Sequence, residues 1–214
     1  MKKRRLKPVA KLTLIGGFLL ICLISITFLT NNAKSSKVLK NTSDFTYVND
    51  YIFDNYYPVV NQEEKISKPY TDEKVTVYKK FYEQDATEEE QQNSIVYHDG
   101  IYMQNSGVDY KSEEDFDVVS SISGTVSNIS EDTLLGKTVE IRNSSELITT
   151  YQSLGDISVK KGDTVTQGQI IGKSGTCDLN SDIKHGLHFE MYKNGQVINP
   201  EKYYDKLIKD LSDN

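Results

Sequence analysis

The chain has 214 residues, of which 37% are hydrophobic and 10% aromatic, with Tyr the dominant ring and no Trp; this excludes wholesale disorder and suits one folded domain rather than two. The formal charge of -6 hides an asymmetry, because residues 1–11 hold six Lys and Arg and no acid, leaving 19 bases against 31 acids for the rest. So acidic a body is poorly suited to phosphate backbones, whose binding needs Lys and Arg, and no nucleic-acid partner is expected; the charge favours a cationic partner or simple solubility.

Residues 1–11 read as a basic tail, and residues 12–30, LTLIGGFLLICLISITFLT, form an uncharged run. At about 1.5 Å per residue such a run spans a bilayer as one helix. The preceding KKRRLK block places the N-terminus in the cytoplasm and the bulk of the chain outside. A cleaved signal peptide is the rival reading, but this run is longer than a signal core, and no small-x-small site follows it. An uncleaved single-pass anchor is expected. Cys22 lies inside this run and Cys177 far along the chain, so no disulfide framework is predicted.

Residues 31–65 read as a polar linker followed by a Tyr-rich arm, YVNDYIFDNYYPVVN, which is either a short helix ending before Pro58 or an extended arm. From Ile66 onward Val75, Val77 and Phe81 alternate with polar residues, and SIVYHDGIYM follows the acidic stretch EQDATEEEQQN. The pattern predicts two strands joined by an acidic loop. VVSSISGTVSNIS, KTVEIRN and ELITTYQSL, rich in Val, Ile and Thr and punctuated by Gly124, Gly136 and Gly155, predict a mainly β, antiparallel domain over residues 66–214. KKGDTVTQGQIIGKSG predicts a further hairpin. NPEKYYDKLIKDLSDN predicts one short closing helix, capped by Asn199, with Pro200 at its first position and Tyr204, Leu207, Ile208 and Leu211 on one face.

Three ordered segments, NSGVDY at 105–110, TTYQSLGDISVKKGDTVTQGQIIGKSG at 149–175 and HGLHFEMYKNGQVINP at 185–200, resemble the M23 family of zinc metallopeptidases, the LytM or lysostaphin-like domains that cut peptide bridges in bacterial cell walls. The resemblance covers about the last half of the chain and implies the antiparallel duplicated-hybrid-motif fold. Family members carry H-x-G-x-D, with two zinc ligands, and H-x-H, with a catalytic histidine and then the third ligand. Three protein donors hold the zinc while an open fourth position activates water.

This chain departs from that pattern at decisive positions. Asn105 stands at the first ligand position, where an amide is a weak zinc donor; Asp109 and His188 remain. Gly186 takes the catalytic position of H-x-H, and Ser153 takes that of the family's other site histidine in Tyr151-Gln152-Ser153-Leu154. The resemblance thus implies a domain without catalytic residues, with Asn105, Asp109 and His188 as vestigial metal-site positions and Ser153 and Gly186 as vestigial catalytic ones. No cofactor is expected, and any zinc would have only Asp109 and His188. His185 cannot replace the lost imidazole without a bulge, since His185 and His188, three apart on a strand, leave opposite faces. His98 reads as an ordinary exposed or hydrogen-bonded histidine.

The basic tail, the single membrane segment, a histidine-poor domain of this kind and the layout of KPYTDEKVTVYKKFYEQDATEEEQQNSIVYHDGIYMQNSGVDY are similar to the sporulation branch of the family. That resemblance implies a forespore membrane protein whose outer domain meets stage III sporulation protein AH of the mother cell across the intermembrane space, supporting engulfment and an intercellular channel. A ring-like oligomer and contact with peptidoglycan belong to the same implication. The alternative is a zinc-dependent peptidoglycan endopeptidase with residual or altered activity. A carrier-type hairpin, suggested only by the Gly-Asp turns, would need modification at Lys160, Lys161 or Lys173.

Overall fold

The computed structural model describes residues 63–143 and 147–211. The expected basic tail, membrane segment, Cys22 and most of the linker and Tyr-rich arm lie outside the described residues. Among the described residues no helix is long and apolar enough to cross a membrane.

Val, Ile and Thr suit a pleated, half-buried surface, and the segments rich in them form an antiparallel sheet. Its strands are β1 Thr76–Lys79, β4 Val108–Lys111, β5 Asp117–Val119, β6 Gly124–Asp132, β7 Gly136–Arg142, β8 Leu147–Ile157, β9 Thr164–Val165, β10 Ile170–Ser174, β11 Gly186–Lys193 and β12 Gln196–Ile198. The main path runs β1-β4-β11-β8-β7-β6-β9, with β10 on β8 and β5 and with β12 on β11. Val108, Tyr110, Val139, Ile141, Tyr151, Leu187, Phe189 and Met191 form the core between these strands, and the Tyr151 and Phe189 rings lie 5.1 Å apart at the centre.

Three local expectations are corrected. The acidic stretch is not a plain loop, because Glu88–Asn93 forms helix α1. Thr87 Oγ1 accepts from the Glu90 amide at 3.3 Å, while the Thr87 amide donates to Glu90 Oε2 at 3.1 Å. This reciprocal cap satisfies two orphan amides and favours a helix even over six polar residues. SIVYHDGIYM is not one strand but a hairpin, β2 Ile95–His98 and β3 Ile101–Gln104. Asp99 and Gly100, both with positive φ, form its two-residue turn. The strand predicted near Val75 therefore pairs with β4, while β2 pairs with β3. Likewise KKGDTVTQGQIIGKSG folds as β9 on β6 and β10 on β5, two strands that do not pair with each other.

The C-terminal segment also differs from the single predicted helix. Asn199 caps as expected, its side chain accepting from the Glu201 amide at 3.0 Å, but only two 3-10 turns form, Pro200–Lys202 and Ile208–Leu211. Asp205 takes φ 64, a left-handed conformation that interrupts a helix. Its amide is recruited by the Ile66 carbonyl at 2.8 Å, and Lys65 pairs with Leu207. Ile208 and Leu211 still bury, and Tyr204 meets the Tyr110 hydroxyl at 2.6 Å. The start of the described body is thus fixed by its end: Ile66 is fully buried, and both Glu64 carboxylate oxygens accept from Ser123 at 2.6 Å.

Candidate functional site

Antiparallel pairing of β4 with β11 sets Asp109 directly opposite His188. Both are buried, and His188 Nδ1 lies 2.6 Å from Asp109 Oδ1. Two residues along β11, on the same face of the strand, Glu190 Oε1 stands 3.2 Å from the other ring nitrogen, His188 Nε2. The imidazole is held between two buried carboxylates.

Each carboxylate is satisfied further. Asn180 donates its side-chain amide to Asp109 Oδ1 at 3.2 Å, and Asn105 Nδ2 lies 3.4 Å from Asp109 Oδ2. Ser106 Oγ donates to Glu190 Oε1, while Tyr192 and Gln152 donate to Glu190 Oε2 at 2.8 and 3.3 Å. Burial alone would lower the His188 pKa, but hydrogen bonds and charge from Asp109 and Glu190 outweigh it and push the pKa up to about 10. Burial likewise opposes ionisation of Glu190, yet the contacts from His188, Ser106 and Tyr192 hold its carboxyl below the usual value. The network is an imidazolium bridging two carboxylates.

Asn105 is buried at the mouth of β4. Its Nδ2 also donates to the carbonyls of Lys80 and Gly107, each at 3.0 Å. Those two acceptors fix the amide orientation, so Asn105 offers a donor toward Asp109 rather than a lone pair. Ser153 sits within β8 at φ 64, its hydroxyl donating to Cys177 Sγ at 3.0 Å. Asp109, Ser153, Gly186 and His188 line one small pocket, a cavity of about 10 Å³, which is the scale of a single water and far below the roughly 300 Å³ at which small-molecule sites begin. His185 lies outside that pocket, paired with Asp115 at 2.6 Å, and His98 pairs with Asp99 at 3.6 Å at the hairpin turn.

Gly186 is enclosed. A Cβ there would lie 2.6 Å from Ile183 Cγ2, and a β-branched side chain has little χ1 freedom to withdraw. Gly186→His is therefore expected to destabilise the domain by about 1–3 kcal/mol through overpacking. Thermal melting checks this, and adding Ile183→Ala should recover part of the loss.

The donor set does not fit the zinc centre that the fold implies. Two donors at about 2.0–2.1 Å from a tetrahedral ion stand about 3.3 Å apart, whereas Asp109 and His188 meet at hydrogen-bond distance, 2.6 Å. Asn105 turns its Nδ2, a donor and not a ligand atom, toward the other Asp109 oxygen, Oδ2, at 3.4 Å. Among the described residues no group of three or more His, Cys, Asp or Glu is arranged to hold a metal. Glu190 was not singled out in the sequence, although its position two residues after His188 on a strand is the signal for a shared face.

The description Peptidase family M23 matches residues 103–200. Stage II sporulation protein Q of Bacillus subtilis strain 168 is 37% identical over 185 residues, covering 85% of this chain and 64% of that protein. The chain thus spans just under two thirds of that relative's length. A chain in the solved SpoIIQ-SpoIIIAH pore forming complex is 40% identical with a TM-score of 0.68, covering 71% of this chain and 98% of that one. The chain belongs to the stage II sporulation protein Q family. A zinc containing peptidase from Vibrio cholerae shares the fold at a TM-score of 0.52 and 22% identity, over 64% of this chain and 40% of that one. The chain therefore carries the peptidase fold.

Proposed function

We propose that this chain is a non-enzymatic sporulation protein of the forespore membrane, anchored by residues 12–30, whose outer domain binds a stage III sporulation protein AH-type partner across the intermembrane space. It thereby supports engulfment and an intercellular channel, with ring-like assembly and peptidoglycan contact as further elements of the same reading. Support for the partner comes from the likeness to the chain of the SpoIIQ-SpoIIIAH complex. Support for the lost chemistry comes from one observation: the two vestigial ligands, Asp109 and His188, are spent on each other at 2.6 Å. Asn105 supplies no third ligand, and Ser153 and Gly186 supply no imidazole to move protons or steady an oxyanion.

The second reading, a residual zinc peptidase, draws on Glu190, since a carboxylate on the far nitrogen of a ligating histidine is how zinc ligands are oriented. One experiment separates the two. The full chain, supplied with zinc, is incubated with purified cell-wall peptides and, separately, with stage III sporulation protein AH. Uncut peptides together with a stable complex are expected. Peptide cleavage that is lost on Asp109→Ala would overturn the proposal in favour of the peptidase.

A further inference from the structure

The large exposed hydrophobic side chains are unevenly distributed. Among the described residues there are eight, and five of them, Val77, Tyr78, Tyr97, Ile101 and Tyr102, lie on β1 and the β2–β3 hairpin. The hairpin's register explains the arrangement. Val96 faces Met103 and turns inward, with Val96 only 5% exposed, so the alternate pair Tyr97 and Tyr102 must turn outward. The two rings lie 4.9 Å apart and are 60% and 74% exposed. Exposed Tyr side chains of this kind are favoured anchors for protein partners.

Beside the rings, among the described residues, β1 ends the main strand path and pairs only with β4. Its outer side is a sheet edge able to accept a strand. Between β1, β2 and residues 178–182 lies a groove of about 260 Å³, lined by Tyr78 and Tyr97 together with the exposed Asp178 and Asp182. The nearby cations are already engaged: Lys79 Nζ donates to the Ile95 carbonyl at 2.7 Å, and Lys111 Nζ sits 5.0 Å over the Tyr78 ring. The open charge of the groove is acidic.

We infer that β1, the outward Tyr97–Tyr102 pair and the acidic groove between them form the docking surface for the partner, which adds an extended strand bearing basic and apolar side chains to the edge of β1. This rests on the partner named above and adds where and how it binds. The charge argues against a second copy of the chain as the occupant, since beyond residue 11 the chain holds 31 acids against 19 bases, and two such surfaces repel. An occupant with basic side chains gains from both the groove acids and the aromatic faces.

The test measures binding of the detergent-solubilised full chain to purified stage III sporulation protein AH of the same organism, with hydrogen exchange followed on the complex. The double variant Tyr97→Ala, Tyr102→Ala should lose at least tenfold in affinity at an unchanged melting temperature, while Leu134→Ser and Ile170→Ser, at exposed hydrophobics elsewhere, bind as the parent does. Amides of residues 76–79 should gain protection on binding. If the parent chain does not bind, the functional reading fails and this inference with it. If the parent binds, the functional reading stands, and the inference is overturned alone by a double variant within twofold of the parent or by protection confined to other strands. A double variant that lowers self-association of the chain while keeping its partner affinity would assign the patch to a second copy and equally overturn it.

Discussion

Replacing His188 with alanine is expected to destabilise the domain by about 3–5 kcal/mol, the range for removing one member of a buried, hydrogen-bonded ionic group. The substitution deletes the cation that sits between Asp109 and Glu190 and leaves two buried carboxylates on neighbouring strands without it. The loss has a pH signature. The folded-state pKa of His188 lies near 10 against an ordinary 6.5, so its contribution is fully present below about 6.5 and disappears as the pH rises through 10. Chemical denaturation at several pH values should therefore show the gap between parent and variant narrowing across that window. A gap that stays constant would mean that His188 is held neutral and serves only as a spacer.

Asn105→His is expected to bring zinc into the domain, at one ion per chain and about a hundredfold or more tighter than the parent. The estimate follows from outer-shell partners, whose loss costs 10–100-fold, so a ligand should be worth at least the upper figure. Three features favour it: Asn105 Nδ2 already points at Asp109 Oδ2, Asp109 and His188 need to part by less than about 1 Å to admit an ion, and Glu190 already orients the far nitrogen of His188. The same variant should cut no cell-wall peptide, because Ser153 and Gly186 still lack the imidazoles that would handle protons. Metal analysis after dialysis reads the first outcome and a peptide assay the second. A zinc-free variant would show that β4 and β11 can no longer open around an ion.

How much of this was legible beforehand depended on whether a feature is local in sequence. The mainly β character followed from Val, Ile and Thr runs, while Asn105, Asp109, Ser153, Gly186 and His188 were singled out through the resemblance to the M23 motifs. The geometry places the last four around one pocket and sets Asn105 against Asp109. Two misreadings had local signals that went unused. Thr87 with Glu90 spells a capping box, and Asp99-Gly100 spells a two-residue hairpin turn. The broken C-terminal helix had no such signal, because what interrupts it is pairing with residues 64–66, more than a hundred positions away. Tertiary pairing outweighed a helical periodicity that was present in the residues themselves. Glu190 escaped for a different reason: its spacing two residues after His188 signals a shared face of β11, but the contact with the His188 ring shows only in the folded sheet.

The most direct test of the central claim, recognition without metal chemistry, is the affinity of the full chain for stage III sporulation protein AH measured by calorimetry with and without a strong chelator. The same dissociation constant in both conditions is predicted. Binding that vanishes on chelation, or that is absent throughout, would contradict it.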